Sequence, residues 1–432
     1  MADSSALSRP VVAACANERA EMAAARALAD HLGTDVLTIG TESWSDPAEV
    51  GLWHQARELD ERARNGGRFP WARTIGALLG LPGPLAPLQP GIDLSAPDRA
   101  SRRLDSLVAA GLARGFAGRL RRGGPPLVTT HAPLAVAVER TSTARVFCVV
   151  TDNDLPRHWA PLMASKSNLQ YLVPSRRAFD RLCAYGVMRG NVHYTGIPLH
   201  PRLLGDAELP VTKANLAARL LRLDPGRAFL DLHEDAIARR LGPLPGPAAV
   251  MPPLVTVVVD GAGARRRQAL RTARELLPQV DSGRLRLAIL SDCRSSTAEA
   301  VELELHRPDS GALARLGVRV ATLDYTGDGR GGMFDLLGES DVLWTRPSEL
   351  VFLAALGLPL LITACDGPYE TATRRWAVHR GAAKTWTGDL GGEQIARWLA
   401  DGTLAESAWA GFRKLPKRGL FRIEELVNGQ GE

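Results

Sequence analysis

Cysteine is scarce and scattered in this chain. Its five copies (Cys15, Cys148, Cys183, Cys293 and Cys365) lie far apart with no CxxC pair, so neither a disulfide framework nor a zinc site is indicated. No apolar run approaches the roughly 20 residues that span a bilayer. The opening MADSSALSRP lacks the charged-then-apolar order of a secretory leader. A reduced, cytosolic protein is expected. Aromatic residues make up only 5%, and no nucleic-acid-binding motif is present, so nothing beyond the charge balance points to a nucleic acid.

What remains describes a globular chain with more than one core. At 432 residues, with 45% hydrophobic and 23% charged content, two domains of about 200 residues are expected. A net charge of +6, carried largely by Arg, leaves anionic partners open, whether nucleotides or lipid headgroups. The same wealth of Arg, Ala, Gly and Pro is also the composition of a high-GC genome.

Short β-rich runs at 10–14, 35–39, 127–130, 146–151, 169–174 and 192–195 alternate with helical segments, of which 20–32 is the first. The theme restarts with runs at 254–260, 285–291, 318–323, 341–345 and 360–363. Two consecutive doubly wound, Rossmann-like α/β domains follow, with ligand sites outside the carboxyl ends of the strands and so in a cleft between the domains. The expected boundaries are an N-terminal domain over 1–205, a linker over 206–253, a second domain over 254–400 and a tail over 401–432 that returns to the first domain. The linker assignment rests on GPLPGP at 242–247 and on Pro252-Pro253, which are stiff and pair poorly.

Residues 75–92 (IGALLGLPGPLAPLQPGI) are apolar and rich in Pro and Gly, and suit neither helix nor strand. From Arg99 to Arg122 one amphipathic helix is expected. Leu104, Leu107, Val108, Leu112, Phe116 and Leu120 lie on one side, and Arg102, Arg103, Arg114, Arg119, Arg121 and Arg122 supply its charge against Asp105. Such a helix beside an apolar loop suits an anionic membrane surface or a lipid-bearing substrate. An ordinary surface helix with an Arg-rich outer face is the competing reading.

Residues 345–359 (TRPSELVFLAALGLP) carry the sharpest local pattern. A buried strand end runs into Pro347 and Ser348, a favoured N-cap, with Glu349 in the first turn. Leu350, Leu353, Ala354 and Leu356 then pack the helix inward, and Gly357 ends it. A helix end beyond the carboxyl edge of a parallel sheet suits an anionic group such as a diphosphate; an unliganded βαβ unit gives the same local pattern.

Six runs together resemble GT-B glycosyltransferases, in particular the group of monogalactosyldiacylglycerol synthases and the peptidoglycan N-acetylglucosaminyltransferase. Val150-Thr151-Asp152-Asn153-Asp154 with Trp159 resembles the TDxD…W segment. Residues 171–175 (YLVPS) with Leu182, Gly186 and Val187 resemble "fVpSe…L…GV", and 194–199 (YTGIPL) resembles "VTGIPI". Asp260-Gly261-Ala262-Gly263-Ala264 stands in the place of the Gly-rich loop after the first strand of the second domain. Residues 345–359 stand where the family has "TKPG…E…GLP", and 367–376 where it has "GQExxN". The resemblance runs from about 127 to about 384.

What this resemblance implies is an inverting, metal-independent hexosyltransferase with no cofactor. A nucleotide-diphosphate sugar, a UDP-sugar first of all, would be held by the second domain, and a hydroxyl acceptor (a lipid or a small metabolite) by the first. On the donor side it points to Gly261, Ala262, Gly263, Gly327, Arg346, Ser348, Glu349, Tyr369 and Glu370. Glu349 lies one turn earlier than the family's ribose-binding Glu, whose place Phe352 takes. For catalysis it points to His131, at a strand end in THAP, and to Asp152, with Glu18 as the stand-in where the first loop departs from the family. Asn17, Asp154 and His158 are expected on the acceptor side. The first loop reads Ala14-Cys15-Ala16-Asn17-Glu18-Arg19, with neither the Gly nor the His of the family. Pro368, Tyr369 and Thr373 replace the Gly, Gln and Asn of "GQExxN". A transferase with an altered donor or acceptor fits these changes; a catalytically degenerate nucleotide-binding relative and a sugar-nucleotide epimerase remain open. The implied location is cytoplasmic, or peripheral at the inner face of the plasma membrane if the segment Arg99–Arg122 meets anionic lipid.

Overall fold

The computed structural model describes residues 9–15, 18–39, 47–65, 85–120, 124–246, 251–260, 263–292, 318–323, 332–363, 365, 367–387 and 391–429. Two six-stranded parallel sheets are formed by these residues. In the first, β1 (Val11–Cys15), β2 (Val36–Ile39), β3 (Leu127–Thr129), β4 (Val146–Val149), β5 (Gln170–Val173) and β6 (Val192–Tyr194) lie in the order β2-β1-β3-β4-β5-β6. Ala13 of β1 pairs with Leu37 on one side and Thr129 on the other. In the second sheet, β7 (Leu254–Val259), β8 (Arg286–Asp292), β9 (Arg319–Leu323), β10 (Val342–Thr345), β11 (Leu360–Ile362) and β12 (Ala383–Thr385) lie in the order β12-β11-β10-β7-β8-β9.

The composition of the strands explains both sheets. Helices cover the two faces of a parallel sheet, so its strands read as unbroken apolar runs. LVTVVV in β7 is buried at every position. Each sheet also has a switch point, where successive connections depart in opposite directions and the strand ends splay apart to leave a crevice. The order places these points between β1 and β3 in the first sheet and between β7 and β10 in the second.

The chain divides into two compact units. The first holds residues 1–201, 366–372 and 416–432; the second holds 202–365 and 373–415. The segment expected as a linker over 206–253 is largely structured. Helices Pro210–Leu223 and Leu230–Leu241 occupy it and bury Leu216, Leu220, Leu223, Leu230 and Ile237 in the core of the second unit. Pro210 sits at the helix start, where its missing N–H costs nothing. The tail is split: helix Thr403–Lys414 belongs to the second unit and helix Gly419–Val427 to the first.

The single helix expected from Arg99 to Arg122 is broken. Helix Arg99–Ala109 ends in a turn through Gly111 (φ 113°) and Ala113 (φ 63°), and a short helix Arg114–Ala117 follows. Leu104, Leu107, Val108, Leu112 and Phe116 are all buried in the first unit's own core, so that face is not free for lipid. Residues 121–123, and 75–84 of the apolar Pro/Gly segment, lie outside the described residues. Among the described residues no helix is long and apolar enough to cross a membrane.

Candidate functional site

At the first switch point an acid and a histidine meet inside the protein. Helix α1 (Arg19–Leu32) follows β1 and carries Glu21 in its first turn, where the positive end of the helix dipole favours a carboxylate. His131 follows β3 and caps helix Ala132–Thr141, its backbone N–H donating to Thr129 Oγ1 at 3.1 Å. The His131 Nδ1 donates to Glu21 Oε2 at 2.9 Å, and both side chains are buried (4% and 2% exposed). Burial by itself lowers the His131 pKa. The negative charge of Glu21 and its hydrogen bond, helped by Asp60 and Glu18, outweigh burial and leave the net direction upward. With Nδ1 engaged, Nε2 is the ring nitrogen left to meet a substrate.

His131 also lines a cavity of about 100 Å³ with Cys15, Ile39, Val50, Trp53, His54 and Arg57. Helix α2 (Pro47–Asn65) supplies four of these at spacing i, i+3, i+4 and i+7, one stripe of a helix. Trp53 is nearly buried, its ring centroid 6.0 Å from that of His131.

The other first-unit candidates sit differently. Asp154 is fully buried, with Arg177 Nε donating to Oδ2 at 2.6 Å and Arg181 Nε to Oδ1 at 2.7 Å. Its carboxylate is held inside the domain and anchors helix Arg176–Ala184. His158 is also buried: its Nε2 donates to Asp60 Oδ1 at 3.1 Å, and Trp159 Nε1 donates to the same oxygen at 2.7 Å. Asp152 and Glu18 are half-buried. Glu18 caps α1 through its backbone, and its charge reaches His131. Asn17 lies outside the described residues. At the ends of β3 and β4, Thr130 Oγ1, Thr151 Oγ1 and both amide atoms of Asn153 are buried with no hydrogen-bond partner, an unusual concentration of unsatisfied polar groups.

At the second switch point, Gly263 adopts φ 65°, ψ −127°, a conformation open to Gly alone, and starts helix Ala264–Asp281. Arg265, Arg266 and Arg267 open that helix with no acid in its first turn. Cations at a helix N-terminus are unfavourable by a few tenths to 1 kcal/mol each unless an anion joins them. The segment after β10 forms a 3₁₀ helix, Glu349–Leu356, where an α-helix was expected, closed by Gly357 at φ 71°. Ser348 Oγ accepts from the Leu350 N–H at 3.3 Å, and the Ser348 carbonyl accepts from the Val351 N–H at 3.2 Å. This tighter geometry occupies amides that an α-helical start would leave open.

Arg219, fully buried on helix Pro210–Leu223, grips this arch from behind. It donates to the carbonyls of Gly338, Ser340, Leu356 and Gly357 at 2.7–3.3 Å. Phe352 is buried against Trp376, ring centroids 5.4 Å apart. Arg346 is buried, while Ser348, Glu349, Tyr369 and Glu370 are half-buried. Residues 366–372, with Tyr369 and Glu370, group with the first unit. Gly261, Ala262 and Gly327 lie outside the described residues.

Reading along the sequence missed Glu21, Trp53, Asp60 and the arginines 265–267. Glu21 had a signal: it stands in the stripe Glu21, Ala25, Leu28 of an otherwise apolar helix face.

No protein-family model matches this chain, and no curated protein matches it in sequence. Solved structures do resemble it along nearly its whole length. MnaA of S. aureus, solved with UDP, gives a TM-score of 0.51 at 10% identity over 98% of this chain and 97% of that one. A candidate UDP-N-acetylglucosamine 2-epimerase from Listeria monocytogenes gives 0.50 at 11% identity over 98% and 96%. MurG of Acinetobacter baumannii gives 0.49 at 13% identity over 98% and 99%. The two-domain α/β architecture is the GT-B fold, as the motif resemblance implies.

Proposed function

We infer that this chain is a glycosyltransferase that moves a hexosyl group from a nucleoside-diphosphate sugar, a UDP-sugar first of all, to a hydroxyl acceptor, with inversion and without a metal. The observation that carries this reading is the buried Glu21–His131 pair, whose remaining ring nitrogen belongs to a residue lining a cavity at a switch point of a GT-B fold. His131 is the base, and Glu21 positions it and stabilises the imidazolium that forms. As the acceptor oxygen attacks the anomeric carbon, its proton passes to His131 Nε2. The bond from that carbon to the diphosphate breaks, and its electron pair leaves with the nucleoside diphosphate.

On the donor side, the arginines 265–267 beside Gly263 supply positive charge for the diphosphate. Ser348 and Arg346 border the same switch point, and Glu349 is assigned to the ribose. Tyr369 and Glu370 are assigned to the donor sugar by resemblance, as are Gly261, Ala262 and Gly327 to the donor loops. Asp152, grouped with the catalytic residues by resemblance, is assigned as an acceptor-side carboxylate; Asp154 is left out because arginines of its own domain hold both its oxygens, and His158 because Asp60 holds its Nε2. Membrane contact forms no part of the proposal.

Epimerisation of a nucleotide sugar is the second reading, supported by the epimerase-named neighbour of the same fold. The cavity beside His131 favours transfer, because an epimerase needs no compartment for a second substrate. Titration calorimetry with UDP, followed by incubation with UDP-sugars, separates these readings. A transferase binds UDP and consumes the donor faster when an acceptor is added. Conversion of the sugar without any acceptor is the epimerase result, and binding without turnover is that of a degenerate relative. Glu349→Gln is expected to weaken UDP binding while Asp152→Asn spares it; equal losses contradict the division of tasks.

A further inference from the structure

We propose that the acceptor presents its hydroxyl on a single apolar ring, a phenol or benzyl-type alcohol, seated in the cavity between α2 and the ends of β1 and β2. The proposal rests on the transferase reading and names the second substrate of that same site. Size is the first argument. At about 100 Å³ the cavity is smaller than the roughly 150 Å³ that admits a whole benzene, so one ring, in part at the open rim, is the largest body it takes. A diacylglycerol or polyprenyl body does not fit.

Chemistry is the second argument. Ile39, Trp53, Val50 and Cys15 form an apolar surround, and the Trp53 ring stands tilted 47° to that of His131. A planar guest packs well on such a ring. The two cationic side chains of the stripe face acids on their own helix: His54 Nδ1 lies 3.3 Å from Glu58 and Arg57 Nε 3.6 Å from Glu61. Among the described lining residues His131 is the one with a buried carboxylate behind it to take a proton, and Arg57 Nε, buried with no hydrogen-bond partner, offers one further donor. A sugar acceptor would leave its other hydroxyls desolvated against Ile39 and Trp53, a penalty that apolar sites impose on polar guests. With an aryl alcohol the balance is simple: the O–H bond breaks toward His131, the aryl or benzyl oxygen bonds the anomeric carbon, and the nucleoside diphosphate departs with the electron pair.

The test uses the full chain and whichever of UDP-glucose, UDP-galactose and UDP-N-acetylglucosamine it hydrolyses. The acceptors are 4-methylphenol and benzyl alcohol, with glucose and dodecanol as contrasts, and products are read by mass spectrometry. The aryl acceptors are expected to exceed the contrasts in kcat/KM by about tenfold or more, the discrimination apolar pockets reach. Val50 is 42% exposed at the cavity rim. Val50→Trp is expected to lower kcat/KM for 4-methylphenol by about tenfold and to abolish its saturation-transfer NMR signal, while UDP affinity holds. If the donor is consumed but glucose or dodecanol is preferred, or Val50→Trp leaves the aryl rate intact, the acceptor class is wrong and the transferase reading survives. If no UDP-sugar is bound or consumed, the transferase reading fails and this proposal with it. Should Val50→Trp not fold, the wild-type preference and the NMR signal of 4-methylphenol decide the matter.

Discussion

Replacing Glu21 by Gln removes a charge from behind His131 while keeping an oxygen at the same reach. The 2.9 Å contact lies between two groups almost wholly out of water, so little screening softens the loss. A hydrogen bond to a charged group contributes about 1.5–3 kcal/mol. Complete removal of one partner from a buried pair costs about 3–5 kcal/mol. The amide retains an acceptor, so about 2–3 kcal/mol is expected. For a unit of this size each kcal/mol moves Tm by about 2–4 °C, giving a fall of roughly 4–12 °C in the first unit's transition.

The sign of the pH dependence follows from the raised His131 pKa. Stability from the pair is fully present below the ordinary histidine value of 6.5 and is lost as pH rises through the higher folded-state value. Wild type and Glu21→Gln should therefore differ most in mild acid and converge in alkali. Activity runs the other way, because the base must be neutral to accept a proton. The acid limb of kcat/KM lies above 6.5 in the wild type. It moves to lower pH in Glu21→Gln, since burial, the opposing influence, is then answered only by the smaller effects of Asp60 and Glu18. A carboxylate-to-amide change behind a catalytic histidine also lowers kcat by up to about 10⁴. Calorimetric melts at several pH values and a pH–rate profile check both halves. An acid limb that stays put or moves upward would refute the assignment of His131 as the base oriented by Glu21.

Ser348→Ala is expected to cost about 0.5–2 kcal/mol as a lost helix cap and to weaken UDP binding; an unchanged calorimetric Kd puts the diphosphate elsewhere. Asp154→Asn leaves Arg181 buried without its counter-charge and should destabilise the first unit by about 3–5 kcal/mol, seen as an early thermal transition. At low temperature, where the variant is folded, UDP affinity should match the wild type; a loss would give Asp154 a role in binding. At Gly357, where φ is +71°, an added Cβ would sit 2.5 Å from Leu216 Cδ1. Gly357→Ala should therefore cost about 1–3 kcal/mol by overpacking and strain; an unshifted melt contradicts that packing.

Interior strands such as β7 are legible because burial on both faces writes them as apolar runs, and the partly exposed β2, β6 and β9 through their Val, Ile, Thr and Tyr content. The edge strand β12, Ala383-Lys384-Thr385, carries no such run and was not found. The helix over Arg99–Arg122 was drawn through Gly111 because periodicity registers faces better than breaks. Residues 210–241 read as part of a linker because the Gly/Pro cluster after them dominates the local composition, although Leu216, Leu220 and Leu223 keep helical spacing. His131 was visible as a strand-end histidine. Its partner was not, because Glu21 lies 110 residues earlier and only the parallel pairing of β1 with β3 brings the two together. Fold reads out from local pattern, whereas a site built across a switch point depends on strand order.

Arg219 has a bearing on how this protein can be re-engineered. One guanidinium ties the carbonyls flanking β10 to those that terminate the 3₁₀ helix, so the arch bearing Ser348 is stapled to helix Pro210–Leu223 and will shift as a single piece. Libraries restricted to the arch should meet resistance, whereas paired changes at position 219 and along the arch give it room to settle into a new pose.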